Sequence, residues 1–378
     1  MLKSITITNF KIHKHLHLDL GNLTVLTGVN SNGKSSVLQA LLLLRQSYMQ
    51  NALKEGLILN GDLLSIGLGR DALCQVADED SITFAISSEI GDCKWQWNAG
   101  GPYMGKDFLP IEEMPPEDGL WKGNPLFANN FQHISAARQE PSESYPLNTN
   151  LVESKKQLSQ RYGKCELVAH FLHYYGVENK LSVLPELVHE TGESADLLSQ
   201  VSSWERVVSP DVKVEPGKGD KSYTLKYSYQ IDGDTTPSYS ATNVGFGLSY
   251  ALPIVVALLA AEKNSLILIE NPEAHLHESA QSELGSFIAR AAQAGVQIIV
   301  ETHSNHILNG ILLASKRYEK GAPGIDKNVV RMYYLKRHVG GLFSENEEVR
   351  IIGDGKIDHQ PDGFFNRLDI DMSSLLGF

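Results

Sequence analysis

Two stretches near the start of the chain alternate apolar and polar positions. Residues 4–8 (Ser, Ile, Thr, Ile, Thr) and 15–20 (His, Leu, His, Leu, Asp, Leu) read as antiparallel strands with one face toward a core. At 23–27 the alternation gives way to Leu, Thr, Val, Leu, Thr, the pattern of a strand covered on both faces. Residues 36–44 then place Val37, Leu38, Ala40 and four successive leucines on nearly every side, which predicts a buried helix running to about Gln50. Strands are expected at 81–86 and 93–97. The glycines, prolines and acids of 98–130 predict a surface loop, and 131–135 a further strand. From 151 to 204 the pattern becomes helical, with Leu167, Val168, Phe171 and Leu172 at helix spacing and Pro185 suited to a helix start. Strands at 212–214 and 221–229 flank a turn at 217–220. Dense α/β patterning then returns: a helix at 250–262, a strand at 266–269 ending in Glu270, a helix at 278–293, and a strand at 296–300 ending in Glu301.

These shifts divide the chain into 1–99, an insertion at 100–235 made of loop, helical segment and hairpin, a second half at 236–330, and a tail segment at 331–378. A length of 378 residues is long for one core, and 42% hydrophobic with 21% charged residues is ordinary globular composition. The expected fold class is α/β: a mixed sheet with antiparallel strands near the N-terminus and a mainly helical insertion. With 33 Lys and Arg against 45 Asp and Glu, the net charge is −12, which argues against a protein that coats nucleic acid. Cys74, Cys93 and Cys165 lie far apart without C-x-x-C spacing, so neither a disulfide framework nor a zinc knuckle is expected. The opening lacks an apolar signal region, and the apolar run at 252–261 is too short to span a bilayer. A cytoplasmic protein with no membrane partner is the expectation.

Between the strand at 23–27 and the helix that follows stands G-V-N-S-N-G-K-S, residues 28–35. This is the G-x-x-x-x-G-K-S phosphate loop in its strand–turn–helix setting. Gly28 and Gly33 permit a tight turn that aims backbone N–H groups at one phosphate, with Asn30, Ser31, Asn32 and Ser36 contributing to the same cradle. The helix start near Lys34 adds its positive end, Lys34 an ammonium for the β/γ-phosphates, and Ser35 a hydroxyl for Mg2+. ATP and Mg2+ are therefore the expected cofactors.

A second constellation closes the chemistry. Four aliphatic residues at 266–269 precede Glu270, Asn271 and Glu273, the form of the Mg2+-binding strand of phosphate-loop ATPases. Glu270 is the expected metal carboxylate. Asn271 stands where a general base is usual and cannot serve as one, so Glu273 is the expected substitute, or hydrolysis is slow. His303 follows the next strand. Parallel strands deliver their C-terminal ends to one sheet edge, so Glu270, His303 and the loop should meet there.

These residues resemble the ATP-binding-cassette type of ATPase found in SMC proteins and in the overcoming-lysogenisation-defect class of bacterial ATPases. The loop at 28–35, a signature-like segment at 243–249, the acid-tipped strand with its turn at 273–277, and His303 carry the resemblance, which covers about 1–95 and 240–310. Residues 355–365 look like the tail of a subgroup of stand-alone bacterial ATPases. The resemblance implies that two subunits close head-to-tail over two ATP molecules, each offering Asn243 and Gly245 to the other's nucleotide, with His303 sensing the γ-phosphate. It departs from the family in reading Asn243-Val244-Gly245 for Ser-Gly-Gly, and it lacks a long coiled coil and an obvious nuclease module. The implied role is a regulatory ATPase of anti-phage defence that gates a separate nuclease or toxin, triggered by nucleic acid or a phage protein. The alternatives are a DNA-repair or chromosome-associated ATPase acting on DNA directly, and a slow nucleotide-sensing scaffold.

Several residues admit blander readings. His13, His15 and His17 share one strand face and read as a solvated face or a metal site. His275 and His277 read as turn packing or zinc ligands. Arg138 could face a phosphate or a subunit, or form a surface ion pair. Trp95 and Trp97 read as packing or a base-stacking platform, and the basic, tyrosine-rich 221–229 as a solvated hairpin or a nucleic-acid surface.

Overall fold

The structure is a computed structural model that describes residues 1–116, 123–361 and Phe364. The tail resemblance at Asp362, Gly363 and Phe365, and part of the loop expected at 98–130, lie outside the described residues. The chain forms two compact units. The first takes residues 1–127, 301–305 and 326 onward; the second takes 128–300 and 306–325.

In the first unit, β1 (Leu2–Phe10) and β2 (His13–Asp19) form an antiparallel hairpin, and β3 (Leu23–Gly28) leads into α1 (Lys34–Met49). After β4 (Gly56–Ile58) and the single turn α2 (Gly69–Ala72) come β5 (Ser81–Ser88), β6 (Gly91–Asn98) and β7 (Phe108–Glu113). Six of these strands join in the order β2-β1-β5-β6-β7-β4. The alternation seen in the sequence does what it should: Ile5, Ile7, Leu16, Leu18, Ile82, Phe84 and Ile86 are all buried. Trp95 and Trp97 are buried with them, and Trp97 meets Phe84 edge-on at 5.3 Å, so neither offers a stacking platform. Leu41 to Leu44 of α1 are each at most 1% exposed, which explains the all-round apolar pattern of that helix. Truncating any one of them would cost about 2–5 kcal/mol.

In the second unit, β8 (Phe131–Ile134) and β9 (Tyr145–Pro146) precede α3 (Val168–Phe171) and α4 (Leu197–Glu205). The helical pattern of 151–204 thus resolves into short helices, α3 running on into a π-helical turn at Leu172–Glu178. Asp196 caps α4 through the Ser199 N–H. The long hairpin β10 (Val212–Lys218) and β11 (Ser222–Ile231) stands where the sequence put it, edged by β12 (Asp234–Thr235) and β13 (Tyr239–Ser240). Then come α5 (Phe246–Leu259), β14 (Leu266–Glu270), α6 (Glu278–Gln293), β15 (Gln297–Glu301) and α7 (Asn305–Glu319). β14 lies between β15 and β8 and runs parallel to β8, from Leu266 opposite Phe131 to Ile269 opposite Ile134.

The chain then returns to the first unit with β16 (Val330–Arg337) and β17 (Ser344–Val349). β16 runs parallel to β3 in a register that sets Leu335 opposite Gly28, and antiparallel to β17. Residues grouped by sequence with a tail segment therefore supply β16, the strand paired with the one that carries the phosphate loop, and β17 on the far side of β16.

Candidate active site

The loop is shaped by two glycines and braced from behind. Gly28 and Gly33 take φ of +132° and +90°, and a Cβ on Gly28 would stand 2.2 Å from the Leu335 carbonyl oxygen. Asn32 donates through Nδ2 to that same carbonyl at 3.2 Å, and Ser344 Oγ donates to the Asn32 carbonyl at 2.7 Å. The Asn32 side chain is thus turned to β16. The Ser36 N–H turns to the Gly33 carbonyl at 3.0 Å. Asn30 and Ser31 are exposed, and Ser31 adopts a left-handed φ of 65°. Lys34 is 3% exposed, its ammonium held by the carbonyls of Gly28 and Val29 at 2.9 and 2.8 Å. The cation therefore sits over the loop's own turn.

His13 lies under this loop rather than on a solvated face. Alternation would put it with the exposed His15 and His17, but it is fully buried where the loop covers the start of β2, and its Nε2–H donates to the Gly33 carbonyl at 2.9 Å. Burial pushes the imidazole down to about 4, against the opposing pull of the Gly33 carbonyl. The unfolded chain binds the proton more readily, so His13's contribution to stability is complete above about pH 6.5 and is lost as pH falls toward 4. The loss should reach about 3 kcal/mol. Denaturant titrations across this range should show wild type weakening more steeply than His13→Gln, which keeps a donor without titrating.

Beside the loop, Ser35 Oγ donates to Glu301 Oε1 at 2.8 Å. Glu301 is 4% exposed, and the Thr302 N–H donates to the Leu26 carbonyl of β3 at 3.0 Å, fixing this segment next to the loop strand. His303 follows, exposed, and the Ser304 N–H closes onto Thr302 Oγ1 at 3.0 Å. The sequence reading marked His303 but assigned Glu301 no role. A hydroxyl and a carboxylate converging here are hard oxygen donors, which suit Mg2+.

Glu270 belongs to the second unit, where both its oxygens are engaged. His133 Nε2 lies 3.1 Å from Oε1, and the Ala136 N–H donates to Oε2 at 3.2 Å. Burial pushes its carboxyl up, but His133, the Ala136 N–H and the Arg138 charge outweigh that, so the net direction is down. Arg138 is 3% exposed, which corrects the reading of a surface ion pair. Its guanidinium donates to the Tyr250 and Glu270 carbonyls, each at 3.2 Å, and to the Asn271 carbonyl. Asn271 has a left-handed φ of 43°, a conformation asparagine tolerates better than most residues. Glu273 is half-buried, in the turn closed by the Leu276 N–H on its carbonyl at 3.1 Å.

The signature-like segment forms the entry to α5. Asn243 ends a 3-10 turn, Gly245 is the N-cap, and Asn243, Gly245 and Phe246 are exposed, Phe246 by 53%. His275 packs against Tyr250 and Phe246 at centroid distances of 4.4 and 5.7 Å. His277 caps α6, accepting from the Ser279 N–H at 3.3 Å. Both histidines thus have packing or capping duties, and among the described residues no group of three or more His, Cys, Asp or Glu could hold a metal ion.

Residues 1–95 and 110–308 match the model of a family described as the AAA ATPase domain. The chain belongs to that family. It is an ATPase, and ATP binding follows from membership. Among curated proteins it is similar to the Old nuclease of Escherichia phage P2, with 23% identity over 355 residues, 82% of this chain and 57% of that protein. The chain thus spans little more than half of this relative. The fold is similar to an SMC head bound to the C-terminal winged-helix domain of ScpA (TM-score 0.55, 10% identity, 93% of this chain and 98% of that one). It is similar also to an Smc head with an extended coiled coil, bound to the C-terminal domain of ScpA derived from Pyrococcus furiosus (TM-score 0.52, 11% identity, 99% and 98%). These likenesses bear out the mixed α/β, ATP-binding-cassette type of fold expected from the sequence. Among the described residues no helix is long and apolar enough to cross a membrane.

Proposed function

We propose that this ATPase is a cytoplasmic regulatory switch. ATP with Mg2+ closes two copies head-to-tail, and the closed pair controls a separate effector, a nuclease or toxin, in bacterial defence against phage. In this reading the loop N–H groups and Lys34 hold the phosphates, Ser35 faces the metal, His303 senses the γ-phosphate and Glu273 orients water. The ion would neutralise charge on the phosphates. The observation that carries the pairing is the exposed entry of α5, where Asn243, Gly245 and the apolar Phe246 stand at a helix N-terminus suited to an anion. Two likenesses support an output through another protein: both SMC heads are bound to a part of ScpA.

The reading of direct action on DNA loses its best platform. Tyr223 and Tyr227 of β11 are buried at 3% and 0% exposure, so the basic hairpin offers no run of open rings for bases, and the net charge is −12. Phosphate release measured with and without duplex DNA, from low to physiological salt, separates the two readings. We expect DNA to leave turnover unchanged. A several-fold, salt-sensitive stimulation would favour the DNA enzyme instead.

A further inference from the structure

A loop that binds phosphate through backbone N–H groups works only while its peptide planes face the right way. In a trans peptide the carbonyl and the next residue's N–H point in opposite directions. A donor that holds the carbonyl from behind therefore turns that N–H to the front. We infer that Ser344 is a positioning residue for ATP: its hydroxyl holds the Asn32 carbonyl behind the loop and so aims the Gly33 N–H at the phosphates. This role presupposes the ATP reading above and deepens it.

Three observations carry the assignment. The first is the contact itself: Ser344 Oγ donates to the Asn32 carbonyl at 2.7 Å. The next carbonyl, that of Gly33, has two donors, the His13 Nε2–H at 2.9 Å and the Ser36 N–H at 3.0 Å. The Asn32–Gly33 plane lies before α1, which begins at Lys34, so its orientation rests on Ser344. The second is the donor left over. Among the described residues no group of the chain accepts from the Gly33 N–H, which leaves it for a ligand. The third is the anchoring of the serine. Ser344 is 1% exposed, its N–H donates to the Ile12 carbonyl at 2.9 Å, and it pairs with Arg337 at the start of β17. Leu335 completes this backing, accepting from Asn32 Nδ2 at 3.2 Å.

Space is as strict as hydrogen bonding. A Cβ on Gly33 would stand 2.5 Å from His13 Cε1 and 2.6 Å from Ile12 Cγ2, so the loop lies directly on these side chains. With the Asn32–Gly33 plane set in advance, ATP does not have to order it on binding. Without the Ser344 hydroxyl the Asn32 carbonyl is free to turn toward the nucleotide, where its oxygen would repel those of the phosphates.

The test titrates N-methylanthraniloyl-ATP in Mg2+ and reads two quantities, the affinity and the number of sites per chain. Ser344→Ala should raise Kd about 5- to 10-fold, the range of one lost hydrogen bond, while keeping the wild-type number of sites. A serine that served only stability would do the reverse: sites would be lost with unfolded protein, and the remaining ones would bind at the wild-type Kd. A thermal melt establishes that the variant is folded. If Ser344→Ala does not fold, Ser344→Cys takes its place, since a thiol is close in size and a weak donor, and the same rise is expected. A Kd that stays at the wild-type value in the folded variant overturns the assignment, whether or not sites are lost. Failure of the ATP reading looks different: wild type itself would bind no nucleotide.

Discussion

Replacing Lys34 with alanine is expected to weaken ATP binding by at least about 100-fold and to bring phosphate release to background. The ammonium is 3% exposed and is held over the turn by the carbonyls of Gly28 and Val29. It is the one full positive charge of the loop, and a partly dry site makes that charge worth more than it would be in water. The loop amides and the start of α1 survive the substitution, so residual weak binding is the expected remainder. Lys34→Met should behave alike, because it keeps the buried stem and removes only the charge. Titration with a fluorescent ATP analogue and a phosphate-release assay check the result, with a thermal melt to establish that the variants are folded. A variant that turns over ATP at the wild-type rate would place the chemistry elsewhere.

The second large effect is structural. Arg138→Met should destabilise the protein by about 2–4 kcal/mol, because it strands the buried carbonyls of Tyr250, Glu270 and Asn271. Methionine fills much of the same space, so the loss isolates the hydrogen bonds. Arg138→Lys should recover little, since one ammonium cannot reproduce a planar fork aimed at acceptors on α5 and at the end of β14. Chemical denaturation gives the stability. The turn at Asn271 depends on these bonds, so ATP turnover should fall with it even below the melting transition. Unchanged stability in the Met variant would mean that the bonds contribute nothing.

How far the sequence speaks depends on what each residue answers to. The phosphate loop was legible because its chemistry is local: glycines that must turn, a lysine and a serine at fixed spacing. The hairpin β10–β11 and the acid-tipped β14 were legible because period and punctuation agreed. Arg138 and His13 were not, since their roles come from burial under segments distant in sequence. Arg138 binds carbonyls more than 100 residues away, and His13 is covered by Gly33. β16 and β17 escaped for a related reason. The strand β17 reads Ser, Glu, Asn, Glu, Glu, Val, with no alternation to mark it, and it is held by pairing to β16. Glu301 was visible as the end of a strand, but its contact with Ser35 was not, since sequence spacing carries no such contact.

The proposed switch turns on ATP bringing two copies of the chain together. Sedimentation of the protein with and without ATP and Mg2+ decides the point, run beside Lys34→Ala and Phe246→Asp. The mass should shift from that of one chain, 41.7 kDa, to that of two when ATP is added, and the shift should be absent in both variants. A mass that ignores ATP in wild type, or a dimer that forms equally well in Lys34→Ala, would contradict the proposal.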